Sequence, residues 1–93
     1  MEKRVFHSVW EALEDSPEQA TNMRLRSELM IALHAQVEAW NTTQASAAKR
    51  LRITQPRLND LLRGRIDKFS LDALVELAEH AGLDVRLKVR AAA

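Results

Sequence analysis

Apolar residues recur at three- and four-residue spacings along most of this chain, a pattern typical of amphipathic helices. A short first stretch, residues 5–13, shows this spacing and predicts a short helix. A longer stretch runs from Pro17 to Trp40, and its start carries helix signals: Ser16 can cap, proline suits the first helical position, and Gln19 can return a capping hydrogen bond. The spacing therefore predicts one long helix over residues 17–40.

Three shorter helical segments follow the long one, and each comes directly after a hydroxyl residue. The predicted helices span residues 44–51, 55–63 and 71–81, and their capping residues are Thr43, Thr54 and Ser70. A hydroxyl at this position accepts a hydrogen bond from the unpaired amides of the first helical turn. Asn41, Gly64 and Gly82 follow helical segments, where a left-handed residue commonly ends a helix.

The pattern changes period after Gly82. Leu83, Val85, Leu87 and Val89 alternate with Asp84, Arg86, Lys88 and Arg90, which predicts a short half-buried β-strand. A single strand leaves its backbone unpaired and needs a neighbour. The neighbour can be the same strand of a second copy, the sheet edge of a partner protein, or a strand of the monomer, although no second strand is visible. Val85 and Leu87 are the predicted partner-binding residues of this strand.

The composition favours a single all-α domain. The 93 residues are 46% hydrophobic and include only two glycines and two prolines. We expect an extension over residues 1–16, a helical domain over residues 17–82, and a strand and tail over residues 83–93. The absence of cysteine excludes disulfides and thiol nucleophiles. The absence of a long apolar run argues against a signal peptide or membrane span, so we expect a cytoplasmic protein that does not bind membranes.

The net charge of +1 conceals an uneven distribution. Residues 1–40 hold four basic and seven acidic residues, whereas residues 41–93 hold ten basic and six acidic ones. The densest basic stretch lies between Lys49 and Lys68, with seven basic residues against Asp60 and Asp67. Such a patch favours phosphate binding, although a charge run on its own also fits a solvated helical face.

The two short helices within residues 43–64 predict a helix-turn-helix. Ala47 and Ala48 permit a close helix crossing, and the apolar anchors are Leu51, Ile53, Leu58 and Leu61. With these residues inside, the second helix turns polar residues outward, namely Gln55, Arg57, Asn59, Asp60 and Arg63. Side chains of these types bind base edges or phosphates.

Individual roles follow from residue type and position. Gln44 at a helix start can hold a phosphate, Gln55 can pair with adenine, and Arg57 can pair with guanine or a phosphate. Helix-loop-helix pairs rich in alanine are common in proteins that bind no DNA. The coincidence of the motif with the basic patch favours DNA binding.

Three stretches carry a resemblance to a known family: TQPRL at residues 54–58, LLRG at residues 61–64, and KFSLDAL at residues 68–74. Over residues 8–90 the chain resembles the Cro/C1-type (XRE) helix-turn-helix family, and within it the HigA-type antitoxins. The resemblance implies a five-helix, lambda-repressor-like DNA-binding domain that forms a homodimer on a palindromic operator and represses transcription. It also implies neutralisation of a RelE/HigB-type ribonuclease toxin and repression of the shared operon.

The residue types and the resemblance together give a set of predicted DNA-binding residues. The set is Gln44, Arg52, Thr54, Gln55, Arg57, Asn59, Arg63 and Arg65. Arg52 departs from the family pattern, because the family usually has glycine in the turn. A left-handed arginine costs about 1 to 2 kcal/mol, so either the turn is adjusted or Arg52 recovers its strain through a phosphate contact.

Other partners and functions are weighed against this interpretation. Phe6 and Trp10 are candidate toxin-binding residues, although Trp10 can equally pack on the domain. A stand-alone regulator without a toxin and a helical protein-interaction module are the alternatives. We expect no enzyme activity, cofactor or metal, because no nucleophile motif or phosphate loop occurs and His7, His34 and His80 lack ligand spacing.

Overall fold

Four α-helices and one short turn of 3-10 helix form the part of the chain that the computed structural model describes, residues 16–92. Helix α1 spans Pro17–Trp40, α2 Gln44–Leu51, α3 Gln55–Leu62 and α4 Leu71–His80. The 3-10 turn, Ile66–Lys68, lies between α3 and α4. The fold is all-α, as predicted. The remaining predicted helix, residues 5–13 with Phe6 and Trp10, lies outside the described residues.

Hydroxyl side chains begin the three short helices as the sequence predicts. The side-chain oxygens of Thr43, Thr54 and Ser70 accept hydrogen bonds from backbone amides three residues ahead, at 3.1, 3.3 and 3.1 Å. Ser16 differs, because its side chain makes no capping bond and its Oγ instead lies 3.5 Å from Glu18 Oε2. Helix α1 ends at Asn41, which is left-handed with φ 48°.

The core lies between α1 and α4, with α3 packed against α1 and α2 packed against α3 and α4. The largest fully buried side chains come from every helix and from the segment before α4; they are Leu33, Leu51, Leu58, Leu61, Phe69 and Leu74. Met30 and Val37 of α1 are also buried, whereas Ile31 of the same helix is exposed. No polar or charged side chain is buried within residues 16–92. The fold therefore depends on apolar packing, which holds α3 against α1 and α2 against α3 and α4.

The predicted carboxy-terminal strand is not confirmed. Residues 83–92 form neither a helix nor a strand, and the described part of the chain offers no second strand to pair with them. The apolar residues of this segment face solvent, with Val85 42%, Leu87 81% and Val89 80% exposed. Alternation alone cannot form a strand, because its backbone needs a hydrogen-bonding partner.

None of the helices within residues 16–92 combines the length and apolar character that crossing a bilayer requires.

Candidate nucleic-acid interface

Helices α2 and α3 cross closely and form the predicted helix-turn-helix. Ala47 and Ala48 are buried at the crossing, where their small side chains let the helices approach. Leu58 and Leu61 of α3 are fully buried. The link between the helices is short, and the Ile53 amide donates to the Ala48 carbonyl at 3.0 Å. These contacts fix α3 relative to α2.

Arg52 is left-handed, with φ 61° and ψ 40°. Its backbone amide donates to the carbonyl oxygens of Ala48 and Lys49, as expected of a residue that ends a helix in this conformation. The turn therefore keeps the geometry that glycine usually provides, and it is not adjusted to suit arginine. The Arg52 side chain is exposed and makes no hydrogen bond or ion pair with residues 16–92. It is free to contact a phosphate.

The exposed surface of α3 carries mainly polar side chains. Gln55 and Asn59 lie one turn apart on this surface, so their side chains are neighbours. Arg63, which ends the helix, is also exposed. The Thr54 hydroxyl caps the helix by accepting a hydrogen bond from the Arg57 amide. Gln55 and Asn59 thus form an amide pair presented on a rigid helix.

Arg57 has a different environment from that of its neighbours on α3. Its side chain is half-buried, and its guanidinium lies over the Phe69 ring, 4.3 Å from the ring centroid. One guanidinium nitrogen, Nη1, donates to the Lys68 carbonyl at 3.4 Å. The sequence interpretation placed Arg57 outward and overlooked its contact with Phe69, because a contact across twelve residues leaves no periodic signal.

A small ion-pair group lies at the carboxy-terminal half of α3. Asp60 Oδ1 is 3.7 Å from Arg65 Nε, and Asp60 Oδ2 is 3.7 Å from Lys68 Nζ. The Asp60 side chain is only one-quarter exposed, whereas both partners are about half exposed. Asp60 therefore holds two cations close to the polar face of α3. The predicted site residue Arg65 belongs to this group.

Gln44 and Arg50 are two further exposed polar residues of α2. Gln44 is exposed at the start of α2, and it lines one shallow cleft together with Leu62 of α3. Arg50 of α2 lies over the ring of Trp40, 3.8 Å from its centroid. This stacking fixes an otherwise mobile cation. The sequence interpretation missed it, because Trp40 was assigned only to the apolar stripe of α1.

The other predicted site residues do not join this surface. Val85 and Leu87 are exposed in the tail, and with Asp84 and Arg86 they line a largely apolar groove between α1 and α4. Phe6 and Trp10 lie outside the described residues. Within residues 16–92 no group of histidine and acidic side chains could hold a metal ion.

Comparisons with known proteins agree with this geometry. A family model described as a helix-turn-helix domain matches residues 12–90. No curated protein matches the chain. A solved structure named as an XRE family transcriptional regulator superposes with a TM-score of 0.73 at 30% sequence identity, and the match covers 80% of this chain and 83% of that one.

Fold, surface and family model together define a DNA-binding helix-turn-helix protein that regulates transcription. The chain belongs to the XRE helix-turn-helix family.

Proposed function

We propose that this protein is an operator-specific repressor that reads DNA with α3. The observation that carries the proposal is the division of this helix into two faces. Leu58 and Leu61 are fully buried, whereas Gln55 and Asn59 are exposed to solvent. A helix fixed in this way can enter the major groove with its polar face toward the bases.

The residues around α3 have different proposed tasks. Gln55 and Asn59 contact bases, since side-chain amides pair well with adenine. Gln44 and Arg52 contact phosphates, as do the basic residues that follow α3, Arg63 and Arg65. Thr54 positions the start of α3 through its capping bond. Arg57 keeps further guanidinium donors free while it rests on Phe69, and these suit a phosphate.

The test is binding to a labelled duplex that carries the DNA directly upstream of the reading frame, compared with an unrelated duplex. We expect a preference for the upstream duplex and a steep loss of affinity as the salt concentration rises. Gln55→Ala should remove most of the preference. Gln19→Ala, which alters an exposed glutamine on α1, is the matched control and should change nothing. Equal binding to both duplexes by the wild-type protein would contradict operator-specific repression.

We propose further that the protein acts as a homodimer. Twofold-symmetric readers place their recognition helices about 34 Å apart, one turn of DNA. The tail supports this proposal, because Leu87 and Val89 expose apolar side chains and residues 84–92 make no backbone hydrogen bond within residues 16–92. Antiparallel pairing of two tails satisfies both backbones.

Light scattering after size exclusion tests the dimer. The variant Leu87→Arg/Val89→Arg should shift the mass toward the monomer, because charged side chains oppose burial at the pairing face. The matched control, Arg86→Gln/Lys88→Gln, changes the alternate positions of the same segment and should leave the mass unchanged. A dimer that persists in the leucine and valine variant would remove the tail from the interface.

More specifically, we propose that this repressor is an antitoxin that controls its own operon. Its support is the sequence resemblance to HigA-type antitoxins, together with the exposed apolar tail, which could also add to a partner's sheet edge. The test is co-expression with the product of the adjacent reading frame, measuring ribonuclease activity and complex formation. A neighbouring protein that is not inhibited and does not bind would favour a stand-alone regulator.

A further inference from the structure

The loop after α3, residues 63–70, is held by a side chain of α1 that lies outside the helix-turn-helix. Arg26 Nη1 donates to the Ile66 carbonyl at 3.1 Å and to the Phe69 carbonyl at 3.2 Å. Arg26 Nε donates to Asn22 Oδ1, one turn earlier on α1, at 2.7 Å. One guanidinium thus joins α1 to two backbone carbonyls of this loop.

Arginine suits this position because of its shape. The planar guanidinium presents several donors in a fixed arrangement, so it can bind Asn22 on one edge and two carbonyls on another. Lysine has one compact head group and cannot bridge these acceptors with the same geometry. The group is half-buried, which limits competition from water for the three hydrogen bonds.

The same loop is held by α3 through its side chains. Phe69 is buried beneath the Arg57 guanidinium, and Asp60 pairs with Arg65 and Lys68. Helix α1 therefore holds the loop backbone, while α3 orients the two cations that the loop carries. These cations lie beside α3, because Arg65 Nε and Lys68 Nζ are each 3.7 Å from a carboxylate oxygen of Asp60.

We propose that Arg26 is a positioning residue for DNA binding: it holds the backbone of residues 66–69 so that Arg65 and Lys68 face the phosphates beside α3. The inference rests on the proposed DNA-reading role of α3. Without the guanidinium, the loop carbonyls lose their link to α1 and the two cations lose their fixed position. The effect falls on phosphate contacts, and base preference is unchanged.

The test measures the salt dependence of binding to a fluorescein-labelled duplex of mixed sequence. Each phosphate contact contributes about 0.9 to the slope of log affinity against log salt, so Arg26→Gln should make the slope shallower by about 1 to 2. At about 100 mM salt the affinity should fall by about tenfold, as expected for the loss of one or two charged contacts. Circular dichroism establishes the folded fraction before each titration.

Two comparisons separate positioning from charge and from direct contact. Arg24→Gln removes the same charge from an exposed position on α1 and should leave the slope nearly unchanged. In a protein that already carries Arg65→Gln and Lys68→Gln, the added Arg26→Gln should have no further effect. Should Arg26→Gln fail to fold, Arg26→Lys keeps the charge but not the bridge, and its slope should be shallower by about 1.

An unchanged slope in a folded Arg26 variant would overturn the inference. So would an equal loss of affinity in the presence and absence of Arg65 and Lys68, because Arg26 would then act independently of the loop. Failure of the wild-type protein to bind any duplex is a separate result, which rejects the DNA-reading role of α3 and this inference with it.

Discussion

Replacing Arg52 by glycine should stabilise the fold. Arg52 has φ 61° and ψ 40°, and this left-handed conformation costs an arginine about 1 to 2 kcal/mol. Glycine avoids the steric cost but gives the unfolded chain about 0.4 to 1 kcal/mol more conformational entropy to lose. The difference predicts a net gain of about 1 kcal/mol in the free energy of unfolding. The Arg52 side chain makes no hydrogen bond within residues 16–92, so its removal breaks none there.

Thermal unfolding followed by circular dichroism measures this gain. For a domain of this size, 1 kcal/mol corresponds to an increase in Tm of about 4 to 8 °C. Arg63→Gly is the matched control, because Arg63 also ends a helix but has φ −83° and ψ −2°. Its replacement should destabilise by about 0.5 to 1 kcal/mol. Arg52→Gly melting at or below the wild-type temperature would refute the assignment of strain to this turn.

Three further changes probe the core and the DNA surface. Leu58 is fully buried, so Leu58→Ala should lower the free energy of unfolding, measured by urea titration, by about 2 to 5 kcal/mol. An unchanged free energy of unfolding would mean that Leu58 does not face the core. Gln55→Ala should relax sequence preference in binding selections, whereas Gln44→Ala should weaken all sequences about equally; the reverse pattern would exchange their roles. Asp60→Asn and Asp67→Asn each remove one negative charge, but only Asp60→Asn also releases Arg65 and Lys68 from their fixed position. Asp60→Asn should therefore strengthen binding to any duplex less than the control Asp67→Asn does; equal effects would reduce Asp60 to a general charge.

The helix positions follow from local signals, and this explains why the sequence predicted them well. Capping hydroxyls and apolar spacing act within a few residues, so the predicted starts at Pro17, Gln44, Gln55 and Leu71 agree with the structure. The inward direction of Leu58 and Leu61 follows from the same periodicity. The pattern of capping and apolar residues therefore predicted the helices that position the candidate site.

The contacts that shape the surface between helices escaped prediction, because they join residues far apart along the chain. Arg26 reaches carbonyls 40 and 43 residues away. Arg57 covers Phe69 across a loop whose course depends on the 3-10 turn. The strand expected after Gly82 was predicted but did not form. Alternation describes which side chains share a face, but it supplies no hydrogen-bonding partner for the backbone.

Helices α2 and α3 contain eight residues each, only about two turns. Peptides of that length do not hold helical structure in water by themselves. The proposed DNA-reading surface therefore exists only while α1 and α4 support it, so we expect loss of core packing to remove binding and fold in one cooperative step. Bound DNA in turn draws the equilibrium toward the intact domain, which makes occupancy of its site a source of stability for the whole molecule.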